Sequence, residues 1–197
     1  MDGRAARGLK SRKLVLDEAM NVASVEGLEG LSIGGLASRA SLSKSGVAVL
    51  FGSKEQLQIA TVQAAREVFV AAVVSHSLKA APGLPRLRAL LDAWISYSRD
   101  RVFTGGCFFS AAGVELDSKP GPVRDAVASA IRDWHDLLAS QVQAAIDNRQ
   151  FTGADVRQLV FETTAFLEAA NARSLLTGSG EPYEAAKRAL TRLYGDW

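Results

Sequence analysis

The residues with the clearest chemistry are a run of small polar and basic side chains, Ser43-Lys-Ser-Gly46, preceded by another serine, Ser32. A serine hydroxyl at a helix start accepts a hydrogen bond from a first-turn N–H group, and the other N–H groups of that turn attract anions. A lysine beside them can reach a phosphate or a guanine edge. The pattern predicts two capped helix starts, the second suited to a phosphate backbone.

Apolar residues at helical spacing follow each of these two serines. They are Ile33, Leu36 and Ala37 in the first set, and Val47, Leu50 and Phe51 in the second. Helices this short do not form alone, because nucleation is costly below about 12 residues. They need each other and a third helix, which is predicted from about Lys10 to Glu26. Such a helix-turn-helix presents its second helix to the DNA major groove.

These segments resemble the TetR-type bacterial transcriptional regulators over roughly residues 10 to 60. The resemblance is carried by Leu14-Val-Leu-Asp-Glu-Ala19, Glu26-Gly27, Leu36-Ala37, Ser43-Lys44 and Phe51-Gly-Ser-Lys-Glu-Gln-Leu57. It implies a homodimeric repressor that binds a near-palindromic double-stranded DNA operator and is released by a small effector. The DNA-binding residues predicted from the pattern and the resemblance together are Ser32, Ser43, Lys44, Ser45, Gly46, Val47, Ala48 and Lys54.

The second helix of the helix-turn-helix, which we call the reading helix, departs from the family pattern. The family usually has an aromatic residue where Ala48 stands and a histidine where Leu50 stands. In this chain the segment Val47-Ala-Val-Leu50 is instead wholly aliphatic. Such side chains can contact a thymine methyl group but offer no polar readout. A turn position that favours glycine holds Ser41, which adopts a left-handed conformation less easily. We therefore expect few direct side-chain contacts with base edges. Recognition of the operator should then depend more on the N-terminal arm and on DNA shape.

Charge and composition agree with a DNA-binding protein. The 197-residue chain has a net charge of +2. Residues 1–54 carry eight Lys or Arg against five Asp or Glu, so the basic excess lies beside the reading helix. A single cysteine, Cys107, excludes an intrachain disulfide and suits the cytoplasm. No apolar run approaches the roughly 18 residues of a spanning helix, and we expect no membrane association.

The remaining sequence predicts an all-α protein of about nine helices. A flexible basic tail covers residues 1–9, the helix-turn-helix domain covers 10–53, and a helical ligand-binding and dimerisation domain covers 54–197. The helix opened by the Ser53 capping box is shared between the last two. Later breaks fall at Ala81-Pro-Gly-Leu-Pro85, Lys119-Pro-Gly-Pro122 and Gly178-Ser-Gly180. Thr152 is predicted to cap a helix that runs from Gly153 to Thr177.

The second domain is expected to hold an apolar or aromatic effector. The predicted lining residues are Trp94, Tyr97, Phe103, Cys107, Phe108, Ala112, Trp134, Leu138, Phe166 and Asn171. Aromatic residues at helical spacing are also typical of a plain core. The last two helices carry more apolar and small surface than one domain should cover, which predicts a four-helix dimer interface. Its predicted residues are Val156, Leu159, Ala169, Ala170, Ala189 and Leu193.

Enzyme chemistry has little support in the sequence. Neither His76 nor His135 has a glutamate three residues earlier, and no phosphate-binding loop, nucleophile elbow or paired-cysteine motif occurs. We therefore expect no catalytic residues, metal or cofactor. Two alternatives to a regulator stay open. One is a dimeric ligand-binding or adaptor protein that no longer recognises an operator, and the other, less favoured, is a helical enzyme.

Overall fold

The computed structural model describes residues 3–150 and 155–195, and all regular secondary structure in those residues is helical. Nine helices follow one another in that part of the chain, which confirms the predicted fold class. They are α1 Gly3–Glu26, α2 Ile33–Arg39, α3 Lys44–Phe51, α4 Lys54–Ser77, α5 Leu84–Arg99, α6 Phe108–Leu116, α7 Pro122–Asp147, α8 Val156–Thr177 and α9 Glu181–Tyr194. A π-helical turn, Val70–Val74, interrupts α4.

Two compact units divide the chain. The first unit contains residues 3–67 together with Phe103–Ser129, and the second contains Val68–Val102 together with the described part of residues 130–197. The predicted ligand-binding and dimerisation domain contains all residues beyond 53. Long-range packing instead places the turn after α5, the whole of α6 and the start of α7 with the helix-turn-helix.

Helix α1 begins at Gly3 rather than near Lys10, so the predicted flexible tail is helical in its described residues. The Ala, Arg, Leu and Lys residues before Ser11 have high helix propensity, and each adds a hydrogen bond to an existing helix at little further cost. Leu16, Ala19, Met20 and Ala23 recur at helical spacing and are all buried, so they form the apolar face of α1. The helix ends at Gly27, whose φ is 80°.

The helix-turn-helix has both predicted serine caps. Ser32 Oγ accepts a hydrogen bond from Gly35 N–H at 3.1 Å, and Ser43 Oγ accepts one from Gly46 N–H at 3.1 Å. Between α2 and α3, Ser41 has a φ of 55°. This non-glycine residue therefore takes the left-handed conformation that the turn requires, a conformation that costs about 1–2 kcal/mol for residues with a Cβ atom.

Helix α4 has half of the predicted capping box at its start. Ser53 Oγ accepts a hydrogen bond from Gln56 N–H at 3.1 Å, while Ser53 N–H donates to the Phe51 carbonyl at 2.9 Å. By length and composition α4 could cross a membrane, contrary to the expectation from sequence. It also carries Arg66 and Glu67 near its middle, and 44% of its most apolar stretch is buried inside the protein. A helix in a protein core meets the same criteria.

The second unit is built around α5, α8 and α9. Leu87, Leu90 and Leu91 of α5 are fully buried, as are Tyr183 and Leu190 of α9. Asp155 caps α8 by accepting hydrogen bonds from the N–H groups of Arg157 and Gln158. The predicted cap Thr152 and helix start Gly153 lie outside the described residues. The predicted end of the helix at Thr177 is confirmed, with Gly178 in a left-handed conformation.

Candidate nucleic-acid interface

Helix α3 has one buried face and one exposed face. Val47 is 0% exposed and Phe51 is buried, one helical turn apart. Because successive residues turn by about 100° around a helix, Val49 lies opposite Val47, and its side chain is 86% exposed. The prediction that Val47 contacts DNA is therefore wrong: its side chain anchors α3 in the first unit. Ala48 is half-buried at the edge of the exposed face.

The start of α3 is open to solvent. Lys44, Ser45 and Gly46 are exposed, and Ser43 Oγ lies 3.4 Å from Ser45 Oγ while capping Gly46. Ser32, the matching cap of α2, is also exposed. Exposed N–H groups, hydroxyls and an ammonium at one helix start form the arrangement that holds phosphate oxygens. The structure thus leaves the predicted polar residues of α2 and α3 accessible.

Phe51 is also held from outside its own helix. The Arg12 guanidinium of α1 lies 5.0 Å from the centre of the Phe51 ring, which is a cation–π contact. This contact and the burial of Val47 both restrain α3 from rotating about its axis. The choice of exposed face is therefore determined by packing against α1 and α2.

Lys54 has partners within the protein. Its Nζ donates to the Glu29 carbonyl at 2.7 Å and lies 3.4 Å from Glu29 Oε2. An ammonium has three donors, so one hydrogen remains for a phosphate. The predicted phosphate contact of Lys54 stays a prediction, and the structure adds a role in fixing the turn between α1 and α2.

The turn between α1 and α2 is also held by two residues that the sequence did not reveal. The Glu115 carboxylate of α6 accepts hydrogen bonds from the N–H groups of Leu28 at 2.7 Å and Glu29 at 2.8 Å. Gln58 Nε2 of α4 donates to the Leu28 carbonyl at 2.8 Å. A Cβ atom on Gly27 would lie 2.8 Å from the Glu115 carboxylate, so glycine allows this close approach. These partners are far apart in sequence, and no local pattern marks them.

A second contact joins α1 to the turn before α6. Gly105 N–H donates to Ser24 Oγ at 3.0 Å, and Thr104 N–H donates to Asn21 Oδ1 at 3.4 Å. A Cβ atom on Gly105 would collide with the Ser24 carbonyl. Together with Glu115, these bonds attach residues 103–116 to the helix-turn-helix at two places.

The predicted effector-binding residues fall in both compact units. Phe103, Cys107, Phe108 and Ala112 belong to the first, where the Phe103 and Phe108 rings lie 5.8 Å apart and Phe108 contacts Phe109. All four are buried. The other six belong to the second: Trp94, Tyr97, Trp134, Leu138, Phe166 and Asn171. In that unit Phe69 makes edge-to-face contacts with Tyr97 and Trp134, at 5.4 Å and 5.3 Å.

Asn171 belongs to a buried polar network. Its Oδ1 accepts a hydrogen bond from Ser98 Oγ at 2.8 Å, and Ser98 Oγ lies 2.7 Å from the Tyr183 hydroxyl. Arg101, with a φ of 55°, donates to Ser174 Oγ at 3.1 Å beside them. Asn171, predicted as a lining residue, thus has a hydrogen-bond partner within its own unit. This satisfied network links α5, α8 and α9.

His135 of α7 is half-buried, and this burial lowers the pKa of its imidazole, opposed by the nearby Asp136 carboxylate. The imidazole therefore favours its neutral form.

Within residues 3–150 and 155–195, no group of three or more His, Cys, Asp or Glu side chains is placed to hold a metal ion.

The predicted dimer residues are partly used within one chain. Leu159, Ala170 and Ala189 are buried in the subunit itself, Val156 and Leu193 are half-buried, and Ala169 is exposed. Burial of the first three removes them as the main contacts with a partner. Helix α8 instead presents an outer stripe that recurs at intervals of three to four residues and consists of Phe161, Ala165, Ala169, Ala172 and Leu176. Phe161 is 68% exposed and Leu176 is 88% exposed.

A shallow groove of about 150 Å³ lies between α8 and α9. It is lined mainly by small apolar side chains together with one basic and one acidic residue: Phe166, Ala169, Ala170, Arg173, Glu181, Pro182, Ala185, Ala186 and Ala189. Its volume is well below the roughly 300–1,000 Å³ of typical ligand pockets. Phe166 is therefore next to a groove too small for an effector of ordinary size.

Comparison with known proteins identifies the family. A family model described as the tetracyclin repressor-like C-terminal domain matches residues 83–190, which is more than half of the chain. The chain belongs to the TetR family of transcriptional regulators. No curated protein matches its sequence.

Solved structures of other proteins share the fold over nearly the whole chain. A TetR transcriptional regulator from Chloroflexus aurantiacus is 25% identical with a TM-score of 0.82, covering 95% of both chains. A TetR-family regulator from Agrobacterium tumefaciens is 17% identical with a TM-score of 0.84, covering 95% of this chain and 98% of its own. AibR, solved with isovaleryl coenzyme A and operator DNA, is 18% identical with a TM-score of 0.78, covering 95% and 100%.

The Glu115 contact predicts a measurable stabilisation of this TetR-family helix-turn-helix. Glu115→Ala should lower the free energy of unfolding by about 1–3 kcal/mol, because two N–H groups lose their acceptor. Glu115→Gln, which keeps one acceptor oxygen, should have a smaller effect. Denaturant unfolding measures the stability, and amide hydrogen exchange at Leu28 and Glu29 reports the local change.

Asp117→Ala is the matched control, since it removes an exposed carboxylate two residues away. Unchanged stability and exchange in Glu115→Ala would show that the carboxylate does not hold the turn.

Proposed function

We propose that this chain is a homodimeric, ligand-responsive repressor that binds a near-palindromic operator in the cytoplasm and is released by a small apolar effector. The observation that carries the proposal is the orientation of α3. Its apolar side is buried through Val47 and Phe51, and its capped, exposed start carries Ser43, Lys44 and Ser45. That is the geometry with which a helix-turn-helix contacts the major groove.

Electrostatics supports DNA as the partner. The basic excess of residues 1–54 lies in the segment that contains α1, α2 and α3. Lys44 is exposed, whereas Lys54 retains one ammonium hydrogen beside its bond to Glu29. Phosphate neutralisation supplies much of the affinity of DNA-binding proteins and makes it depend on salt.

The outer stripe of α8 supports a homodimer. Water-exposed Phe161 and Leu176 are unfavourable on a free surface, and the alanines between them allow close approach of another helix. The adjacent groove between α8 and α9 has the size of a recess for side chains of a second copy. A two-fold axis would pair each stripe with itself, and the two reading helices would then meet two half-sites.

An effector is supported by the apolar second unit and by one relative. AibR was solved with both isovaleryl coenzyme A and operator DNA, so a chain with this fold can accommodate a small-molecule ligand and an operator. The aromatic contacts around Phe69, Tyr97 and Trp134 form the region that we assign to an apolar effector. We also propose a non-enzymatic role, in keeping with the match to the tetracyclin repressor-like C-terminal domain. The alternative, a dimeric adaptor without an operator, is favoured by the aliphatic surface of α3.

The first prediction from this proposal concerns the operator. Selection from random duplex DNA should enrich a near-palindrome, and affinity for it should fall as salt increases. Lys44→Ala should weaken binding and reduce the magnitude of the salt slope by about one if Lys44 contacts a phosphate. Fluorescence anisotropy measures both quantities.

Lys119→Ala is the matched control because it removes an exposed lysine outside α1 to α3. Lys54→Ala is a less specific test of a phosphate contact, since it also removes the hydrogen bond to the Glu29 carbonyl. Failure to enrich any duplex would favour the adaptor alternative.

The second prediction concerns assembly. Leu176→Glu and Ala169→Arg should each give folded monomers with weakened operator binding, because a charge would be buried in the paired stripe. Light scattering at micromolar concentration measures the mass, and thermal unfolding checks the fold. Ala189→Arg is a poorer test, since Ala189 is buried within the subunit.

Val114→Glu is the matched control, because Val114 is 77% exposed on α6. A monomeric unmodified protein, or dimers in both stripe variants, would exclude this interface.

The third prediction concerns the effector. In a panel of apolar and aromatic compounds that includes short-chain acyl-coenzyme A esters, one class should lower operator affinity by about 5-fold to 150-fold. Because coupling is reciprocal, operator DNA should weaken binding of the same compound equally. Trp134→Phe should alter the compound's affinity without changing operator binding in its absence. A complete panel without effect on operator binding would refute the ligand-responsive part of the proposal.

A further inference from the structure

The exposed face of α3 carries one large apolar side chain. Val49 is 86% exposed, opposite the buried Val47, and Ser45 lies one turn earlier on the same side. Helix packing fixes this arrangement, because Val47 and Phe51 are buried and Phe51 also contacts Arg12. The isopropyl group of Val49 is thus the large apolar group that α3 exposes to a binding partner.

The other side chains of α3 leave few ways to distinguish bases. Residues 44–51 include Lys44 and Ser45 as the side chains with hydrogen-bond donors, and they include no Arg, Asn, Gln, Asp, Glu or His. Adenine is read best by Asn or Gln, cytosine by a carboxylate, and guanine by Arg or Lys. An apolar side chain instead favours the 5-methyl group of thymine.

The shape of Val49 suits such a contact. A β-branched side chain in a helix has one strongly preferred χ1 rotamer, so Val49 loses little conformational freedom on binding. Its neighbour Gly46, one turn earlier, has no side chain to keep the helix away from the bases. Ser45, on the same stripe, can accept or donate a hydrogen bond at a neighbouring base edge or phosphate.

We propose that Val49 is a specificity-determining residue that contacts the 5-methyl group of one thymine in each half-site of the operator. This inference rests on the proposed function, since it requires that α3 enter the major groove. The aliphatic reading helix then selects thymine through Val49, and not through its half-buried neighbour Ala48.

The test replaces each thymine of the selected operator in turn with uracil, which lacks only the 5-methyl group. For the unmodified full-length protein, a single uracil at the contacted position of either half-site should weaken binding about fourfold, the effect of losing one buried methyl group. Val49→Ala should bind the thymine operator more weakly and lose most of this discrimination. Because Val49 is exposed, this variant should keep its fold, which thermal unfolding verifies.

Val114→Ala is the control, since it removes an equally accessible valine outside α3 and should retain the full uracil effect. The inference is overturned if no thymine-to-uracil change affects binding, or if Val49→Ala shows the same fold-change as the unmodified protein. Those results leave operator binding itself intact. A selection that enriches no duplex overturns the proposed function, and this inference with it.

Discussion

Burial of Val47 and Phe51 is the interaction on which the exposed surface of α3 depends. Helices α2 and α3 are too short to persist in water alone, so they exist because their apolar sides pack on each other and on α1. That packing selects the outward side of α3. The exposed serines, Lys44 and Val49 are accessible as a direct consequence of what is buried behind them. The left-handed Ser41 shows that this packing also outweighs local backbone strain.

The turn between α1 and α2 is where the helix-turn-helix meets chain that is distant in sequence. Glu115 binds its N–H groups, while Gln58 and Lys54 bind its carbonyl oxygens. Gly105 and Thr104 attach the turn before α6 to α1. The first compact unit therefore includes residues that the chain reaches only after α5. Any displacement of α6 would therefore act on the turn that positions α2.

The inner and outer sides of helix α8 differ in their side chains and in their exposure. Its inner side contributes Leu159, Leu167 and Ala170 to the core and Asn171 to a satisfied polar network. Its outer stripe is apolar and exposed in a single subunit. Small residues, Ala170 on the inner side and Ala169 and Ala172 on the outer side, let neighbouring helices approach closely on both. That pattern signals a second partner but does not distinguish which residues meet it.

The sequence by itself determined the features that depend on neighbours within a few residues. The sequence predicted the serine caps, the glycine helix ends, the nine-helix order and the family resemblance, because helix capping and periodicity are local. The caps are Ser32 and Ser43, and the helix ends are at Gly27 and Gly178. Tertiary structure decided that Val47 is buried and Val49 exposed, that Asn171 bonds Ser98, and that Glu115 holds the turn containing Leu28, which is 87 residues away in sequence. These outcomes depend on which helix faces meet, and contacts between distant residues leave no local pattern in a single sequence.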